Sequence, residues 1–335
     1  MVNISMWIKA LRIIPKITME EWNSLDVVSR WLISSRAAVF VMTAMSAIYG
    51  GLLALKDGYF NLLPFLLSLV GLVFAHATNN LVNDWTDSKK GVDKDNYYRS
   101  LYGPQALEHK FFTEKQMWSY ILVSFAIALG CGIYLAIITP VLTLYLIGIG
   151  IFFIAFYTWP LKYIGLGEIT VLLVWGPLMV GGSYYVISGG VWSWDVALIS
   201  FIYSIGPTTV LFGKHADKMK LDKAKKIYTL PVILGEAVSR YLVILMWIIQ
   251  YVLIAYLVYK GNFSWVMVIV LFSLPKLISS IKVYLKPRPE EAPEGFEDSW
   301  PLYLVQFAFL YNRRFGSLFL LALIIDILVS KFGLF

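Results

Sequence analysis

The chain has 335 residues, of which 59% are hydrophobic and only 15% are charged. This apolar fraction exceeds what the core of one soluble domain can bury, so the composition excludes an ordinary soluble protein and indicates that lipid surrounds much of the chain. A formal net charge of +7 is compatible with nucleic-acid binding, but the positions of the basic residues favour a membrane topology instead.

Nine apolar segments follow one another along the chain, and each is long enough to cross a hydrocarbon core, which takes about 20 residues of helix. They cover residues 33–55, 60–80, 117–138, 141–159, 169–188, 196–213, 238–259, 263–284 and 315–333. Because backbone polar groups cannot stay unpaired in lipid, each segment is predicted to be an α-helix. The sequence therefore predicts an all-α integral membrane protein with about nine transmembrane helices, in a single domain over residues 1–335.

The Lys and Arg residues predict which side of the membrane each loop faces. Four precede the first span, six lie in residues 89–115 and seven in residues 214–240, whereas the loops predicted on the opposite side contain almost none. By the positive-inside rule, the N-terminus and the loops after even-numbered spans are predicted to be cytoplasmic in a multi-pass cell-membrane protein. Residues 1–30 are expected to be a cytoplasmic or interfacial segment, and residues 286–314 a polar loop and an interfacial segment before the last helix. Membrane lipids are expected partners; nucleic acid and an obligate protein partner are not.

The first polar stretch follows the second span and carries clustered oxygen donors. Four of them are spaced at i, i+3, i+4 and i+7, so they share one face if the span continues as a helix. They are Asn80, Asn83, Asp84 and Asp87. Asp93 follows after a glycine and can reach back from a loop. Mg²⁺ prefers carboxylate, amide and phosphate oxygens, so this face suits an ion that arrives with a diphosphate.

The second polar stretch follows the sixth span and mixes Asp217 and Asp222 with six lysines in residues 214–226. A solvated basic loop has little use for two acids, so the stretch is interpreted as a second Mg²⁺ site beside phosphate-binding lysines. The two acids are five residues apart, about 140° around a regular helix, and can therefore share one metal only if the helix unwinds between them.

Three ordered motifs resemble those of the UbiA superfamily of intramembrane prenyltransferases, in the variant of its menaquinone branch. In this chain, residues 83–93 read NDWTDSKKGVD and resemble the first aspartate motif of the family; Arg99 follows them, as an arginine does in the family. The second motif is similar to DKAKKIYTLPVILG at residues 222–235. A Tyr-to-Lys signature between them is similar to YTWPLKYIGLGE at residues 157–168. The resemblance covers roughly residues 30–285. The chain departs from the common pattern at position 91, where it has glycine in place of an acid.

The resemblance implies helices around a central cavity that is open to lipid for the prenyl chain and capped by the inner loops. The implied Mg²⁺ ligands are Asp84, Asp87, Asp93, Asp217 and Asp222. The implied diphosphate-binding residues are Asn80, Asn83, Arg99, Lys162, Lys225 and Lys226. The implied catalytic residues are Asp84, Asp87, Asp222, Lys162 and Tyr157, the last through its ring beside an allylic cation.

The expected activity is Mg²⁺-dependent transfer of a polyprenyl group from an isoprenoid diphosphate to an acceptor, with release of diphosphate. The acceptor implied by the resemblance is an aromatic quinone precursor. A UbiA-type terpene cyclase and a lipid prenyltransferase with a non-aromatic acceptor start from the same ionisation, so the motifs do not separate them. A secondary transporter is the alternative from another class, although transporters place ionisable residues near the bilayer midplane and here the acids collect at one face. For Glu168 and His215, a structural hydrogen bond and a role near the substrates both remain open.

Overall fold

The computed structural model describes residues 2–92, 104–297 and 299–332, and within these ranges the regular structure is helical, without strands. The predicted all-α class is confirmed. The α-helices are α1 (Ile4–Arg12), α2 (Met19–Ser24), α3 (Val27–Ser34), α4 (Phe40–Lys56), α5 (Leu62–Lys89), α6 (Glu114–Ile138), α7 (Leu142–Phe156), α8 (Gly167–Leu173), α9 (Gly182–Ile187), α10 (Trp194–Asp217), α11 (Met219–Ala224), α12 (Leu230–Leu234), α13 (Glu236–Tyr259), α14 (Leu274–Tyr284) and α15 (Leu304–Phe332). Segments of 3₁₀ helix cover Ala37–Val39, Leu161–Ile164 and Trp265–Ser273, and a π-helical segment covers Val174–Gly181.

Every predicted span overlaps a helical part of the described chain. Seven helical segments there are long and apolar enough to cross a membrane. They are Ala37–Lys56, Leu62–Lys89, Glu114–Ile138, Gly167–Ile187, Trp194–Asp217, Glu236–Tyr259 and Trp265–Tyr284. Helix α7 is apolar but shorter. The chain is therefore an integral membrane protein, while the exact number of nine spans is not confirmed and the cytoplasmic orientation of its loops stays a prediction.

The last helix begins well before the predicted start of the last span at residue 315. Helix α15 runs without a break from Leu304, so residues 304–314 form its first turns and continue into the predicted last span. The interfacial position of residues 286–314 stays a prediction. Leu304, Ala308, Tyr311 and Phe315 are all buried. Their spacing of i, i+4, i+7 and i+11 gives the helix one continuous packed face.

The chain divides into two compact units. Unit 1 comprises Met1–Ala47 and Leu66–Trp159, and unit 2 comprises Ile48–Phe65 and Pro160–Phe335. The prediction of one domain over the whole chain stays a prediction.

The core of unit 1 holds the last turns of α5 in place. Trp22, Leu81 and Met117 are buried together in this core. The Trp22 ring stacks on Phe111 with centroids 4.9 Å apart, and its indole N–H donates to the Phe111 carbonyl at 2.9 Å. The C-terminal end of α5, which carries the first acidic motif, is thus packed between the N-terminal helices and the start of α6.

Helix α10 is central to unit 2, where it packs against α13, α15 and the π-helical segment. On the neighbouring helix α13, Trp247 is fully buried. The centre of its ring lies 4.9 Å from the ring centre of Tyr284 and 4.9 Å from that of Tyr311. The Trp247 indole also donates to the Thr209 hydroxyl on α10 at 3.2 Å. These contacts fix the C-terminal end of α10, which carries Asp217.

A close backbone approach between α10 and α15 gives a first prediction. A Cβ atom added at Gly213 would lie 2.7 Å from the Tyr284 hydroxyl and 2.9 Å from backbone atoms of Val305. Because a backbone cannot move aside cheaply, Gly213→Ala is expected to lower the free energy of unfolding by about 1–3 kcal/mol, the usual cost of overpacking. The midpoint of thermal unfolding in detergent measures this.

The matched control is Gly130→Ala in α6, where a Cβ atom would have no described atom within 4 Å. Because alanine is the better helix former, this variant is expected to unfold at the wild-type midpoint or slightly above it. Equal midpoints for the two variants would contradict the close packing of α10 on α15.

Candidate active site

The first acidic motif lies on the last turns of α5, because that helix continues past the predicted end of the span to Lys89. Asn80, Asp84 and Asp87 are buried there. The helical continuation that the sequence predicted is confirmed. The Asn80 side-chain amide donates to the Ser35 carbonyl at 2.8 Å, which ties α5 to the start of the first span. Diphosphate binding by Asn80 stays a prediction.

Arg36 is a residue of this site that the sequence prediction missed. Its guanidinium forms an ion pair with Asp84 Oδ1, and its backbone lies in the left-handed region with φ 58°. Asp84 is thus a buried carboxylate with a cation beside it. A signal was present in the sequence, because an arginine within an apolar span is costly unless it finds a polar partner.

Asn83 completes the described part of the first motif. Its Oδ1 atom is buried and has no hydrogen-bond partner in residues 2–92, 104–297 and 299–332. Buried polar atoms are nearly always paired in native proteins, so an unpaired amide oxygen is one that a ligand can use. Asp93 and Arg99 lie outside the described residues, and their roles stay predictions.

The second acidic motif is divided between two helices. Helix α10 ends at Asp217, Lys218 leaves the helical region with φ −115° and ψ 17°, and the short helix α11 then carries Asp222. The helix is therefore interrupted between the two acids. This is the interruption that a metal shared by both would require.

Asp222 has one carboxylate oxygen available. Its Oδ1 accepts a hydrogen bond from Lys218 Nζ at 2.9 Å, whereas its Oδ2 is buried and has no hydrogen-bond partner within the described part of the chain. Only 4% of the residue is exposed. A buried, unpaired carboxylate oxygen fits a hard cation such as Mg²⁺.

Asp217 has a different environment. Its two oxygens accept the backbone N–H groups of Leu304 at 2.9 Å and of Val305 at 3.0 Å, and Arg288 Nε donates to it at 3.0 Å. The carboxylate therefore caps the N-terminus of α15, where negative charge is favourable. Metal binding by Asp217 stays a prediction, and here both of its oxygens already have donors.

Arg288 links this cap to the loop before α15. Its guanidinium lies 4.2 Å from the centre of the Trp300 ring and donates to the Pro301 carbonyl at 2.8 Å. Its backbone N–H donates to Glu236 Oε1 at 2.7 Å. The loop after α14 is thus fastened at one point to the ends of α10, α13 and α15. The sequence had predicted only a polar loop here.

The predicted basic residues of unit 2 differ in burial. Lys162 is buried in the Leu161–Ile164 segment, with its Nζ 5.8 Å from the centre of the Tyr163 ring. Lys225 is half-buried and Lys226 is exposed. The Tyr163 carbonyl accepts the backbone N–H of Tyr228 at 3.2 Å, so the Tyr-to-Lys signature contacts the segment that follows α11. Tyr157, in unit 1, is half-buried just after α7.

Glu168 and His215 form a buried pair. His215 Nδ1 lies 2.5 Å from Glu168 Oε1, and Glu168 Oε2 accepts the Leu230 backbone N–H at 3.3 Å. Both side chains are at most 2% exposed. Of the two roles left open by the sequence, these contacts favour the structural one. The pair joins the Tyr-to-Lys signature, the end of α10 and the start of α12.

A sequence model described as the UbiA prenyltransferase family matches residues 43–312, which include both acidic motifs and the signature between them. The chain belongs to this family. The resemblance carried by the three motifs is thereby confirmed, and the family is one of prenyl-transferring enzymes.

The chain is also similar to individual members of the UbiA family. The chain is 30% identical over 164 residues to a 1,4-dihydroxy-2-naphthoate octaprenyltransferase of Escherichia coli, a match that covers 46% of this chain and 52% of that protein. It therefore spans about half the length of this relative. It is 29% identical over 251 residues to a 2-carboxy-1,4-naphthoquinone phytyltransferase of Synechocystis, covering 73% of this chain and 77% of that one.

The fold is also similar to a solved structure of a UbiA homolog from Archaeoglobus fulgidus. The TM-score is 0.52 with 16% sequence identity, over 88% of this chain and 97% of that one. At this level of identity the comparison concerns the fold alone, and it agrees with the predicted UbiA-like helical architecture.

Among the described residues of this UbiA chain, no group of three or more His, Cys, Asp or Glu side chains is placed to hold a metal ion. The predicted ligand set includes Asp93, which lies outside those residues, and it draws on both compact units. The Mg²⁺ site therefore stays a prediction for this member of the family.

The contact between Asp217 and Arg288 leads to a second prediction. Because hydrogen bonds to charged groups contribute about 1.5–3 kcal/mol, Asp217→Asn and Arg288→Met are each expected to lower the unfolding midpoint. In the double variant the loss should be smaller than the sum, since both changes remove the same interaction. A thermal double-mutant cycle in detergent measures this coupling.

The Mg²⁺ dependence of activity separates this role from metal binding by Asp217. If Asp217 serves as the cap of α15, the two single variants should require the same Mg²⁺ concentration as the wild type. A requirement raised in Asp217→Asn but not in Arg288→Met would support Asp217 as a metal ligand and contradict a purely structural role.

Proposed function

We propose that the chain transfers a polyprenyl group from an isoprenoid diphosphate to a second substrate and releases diphosphate, in a Mg²⁺-dependent reaction. The observation that carries the proposal is the buried Asp222 carboxylate, with one oxygen on Lys218 and the other without a partner in the described residues. A structural carboxylate at this depth would be expected to have both oxygens satisfied. In a family of prenyltransferases, the free oxygen is best explained by a cation that arrives with the diphosphate.

The proposed roles of the motif residues follow from their chemistry. Asp84, Asp87 and Asp222, together with Asp93 and Asp217 from the sequence prediction, are assigned to holding Mg²⁺. When bound, Mg²⁺ supplies positive charge that stabilises the leaving diphosphate. The oxygen of Asn83, which is buried and unpaired among the described residues, is assigned to orienting the bound ion or its water.

The basic residues are assigned to the phosphate oxygens. Lys225 and Lys226, just after α11, and Lys162, in the signature segment, would neutralise charge that develops as the C–O bond breaks. Arg99 belongs to the same predicted set. The Tyr157 ring is assigned to the allylic cation, an interaction of about 1–2 kcal/mol when water is excluded.

For the acceptor, we propose an aromatic quinone precursor of the naphthoate class. The support comes from the Escherichia coli and Synechocystis relatives, which are named for a dihydroxynaphthoate and a carboxynaphthoquinone substrate. Intramolecular cyclisation and transfer to a non-aromatic lipid begin with the same loss of diphosphate, so the mass of the product distinguishes them. Secondary transport remains the alternative from another class.

The test uses purified full-length protein in detergent with Mg²⁺, a series of prenyl diphosphates of increasing chain length, and dihydroxynaphthoate. The expected result is release of diphosphate together with a product whose mass equals acceptor plus prenyl chain, and loss of both when EDTA is added. Diphosphate release without an adduct would support cyclisation. Solute movement across vesicles with no diphosphate released from any donor would support transport and overturn the proposal.

A further inference from the structure

The surface of helix α1 divides into three sectors. At about 100° per residue, Ile4, Ile8 and Leu11 fall within one narrow stripe, and all three are exposed at 61%, 48% and 51%. Lys9 and Arg12 lie beside the stripe and are exposed as well. The remaining sector faces unit 1. The helix thus presents an apolar stripe and a basic edge away from the rest of its unit.

Contacts of the sector that faces unit 1 fix the rotation of α1 about its axis. Ala10 is buried, and the Trp7 indole N–H donates to Asp26 Oδ1 at 3.1 Å while the Asn3 backbone N–H donates to Asp26 Oδ2 at the same distance. Desolvation is the largest single influence on the pKa of Asp26 and raises it, but the hydrogen bonds from Ser29, Trp7 and Asn3 together outweigh it and hold that pKa below its ordinary value. The anchor therefore stays charged near neutral pH, and the apolar stripe stays turned outward.

The position of α1 determines what the stripe meets. The helix packs against α3 and against the Ala37–Val39 turn, where the first membrane-spanning segment begins. Its nine residues reach only about 14 Å, far short of the hydrocarbon thickness. A short helix held at the start of a span lies at the level of the membrane surface.

We propose that the outer face of α1 binds the surface of a bilayer containing anionic phospholipids. Ile4, Ile8 and Leu11 enter the boundary between headgroups and acyl chains, and Lys9 and Arg12 contact lipid phosphates, with the exposed Lys16 just beyond the helix. Amphipathic helices bind at this depth through buried apolar area and attraction to anionic lipid. Lipid is favoured over a protein partner because the stripe adjoins the start of a membrane span and its edge carries basic side chains.

The depth of the stripe is tested with spin labels in the full-length protein. Cys131, the only cysteine, is first replaced by alanine, and a single cysteine is then introduced by Ile8→Cys or, as a matched control on the polar side of the same helix, by Ser5→Cys. In nanodiscs of phosphatidylcholine and phosphatidylglycerol, the label at position 8 should collide more often with oxygen than with a water-soluble nickel complex. The label at position 5 should show the reverse order.

Two results would overturn the proposal. If the label at position 8 were as accessible to the nickel complex as the label at position 5, the stripe would face water. If it were protected from both reagents, the stripe would pack against protein, either a second copy of the chain or another partner.

The requirement for anionic lipid is tested by hydrogen–deuterium exchange of the α1 amides. Adding phosphatidylglycerol to phosphatidylcholine nanodiscs should slow exchange at least about fivefold, the effect of a single basic residue at an anionic surface. Replacing Lys9, Arg12 and Lys16 together by glutamine should remove this slowing, whereas a control replacement of the exposed Lys110 should preserve it. Exchange that is the same in both lipid compositions for the wild type would overturn the assignment to anionic lipid.

Discussion

Replacing Asp222 by alanine is expected to lower the rate of diphosphate release by about a hundredfold to a thousandfold, the usual effect of removing one group that stabilises charge in the transition state. The reason is local. The variant loses the buried carboxylate whose Oδ2 has no hydrogen-bond partner among the described residues, and it leaves the Lys218 ammonium without its acceptor. Loss of the carboxylate would remove a proposed Mg²⁺ ligand, and with the ion the positive charge that compensates the departing diphosphate.

The matched control is Glu290→Ala, because Glu290 is an acid in the same unit that is 88% exposed and pairs with the exposed Lys220. This variant should keep the wild-type rate. The unfolding midpoint and the elution profile of each variant show whether it is folded. A folded Asp222→Ala protein with wild-type turnover would remove Asp222 from the site and, with it, the main support for the proposed reaction.

Asp87 on α5 is proposed to have the corresponding role in unit 1. Asp87→Ala is likewise expected to lose turnover while remaining folded, with the exposed Glu20→Ala as its control in the same unit. Loss of activity in only one of the two aspartate variants would mean that a single motif holds the cation.

The helical spans were predictable from the sequence because their physical cause is local. A run of apolar residues must be helical in lipid whatever its neighbours are, so each predicted span overlaps a helix. The largest difference is the start of the last helix, which the sequence predicted at residue 315 and the structure places at Leu304. Only the tertiary contacts of Leu304 and Tyr311 reveal that the helix begins earlier, and those partners are far away in the sequence.

The acids of the candidate site could be recognised in the sequence, but their contacts could not. Acids spaced along one helix face, such as Asp84 and Asp87, can be recognised in the sequence, and the structure places both on α5. The basic partners of the motif acids could not be found in this way, because they are distant in the sequence. Arg36 is 48 residues from Asp84, and Arg288 is 71 residues from Asp217. An acid that serves as a helix cap and one with a free oxygen have the same sequence signal, and only the packing around them tells them apart.

An acid within the last span also lay outside the sequence prediction. Asp326 on α15 has no exposed surface and forms an ion pair with Lys56 at the end of α4. Its Oδ1 also accepts the Ser264 backbone N–H at 2.7 Å, while Lys56 Nζ donates to the Asn262 carbonyl at 2.5 Å. An ionisable residue inside a span is costly and needs a partner. Here the partners hold together the ends of two helices and the loop after α13.

Asp326→Ala is therefore expected to lower the free energy of unfolding by about 3–5 kcal/mol, because it leaves a buried ammonium without its counter-charge. The control is Glu290→Ala in the same unit, whose partner Lys220 lies on α11. Lys220 and Glu290 are 93% and 88% exposed, so the loss of this pair should barely change stability. The midpoint of unfolding in mixed micelles, as the fraction of sodium dodecyl sulfate is raised, measures both variants.

The double replacement Lys56→Met with Asp326→Leu separates the cost of an unpaired charge from the contribution of the pair itself. Apolar side chains of similar volume often replace a buried ion pair without loss of stability, since neither charge then needs to leave water. The double variant is therefore expected to recover most of the stability that Asp326→Ala loses. If it were as unstable as Asp326→Ala, the ion pair and the hydrogen bond from Ser264 would themselves stabilise this end of unit 2, and an unpaired Lys56 would not be the cause of the loss.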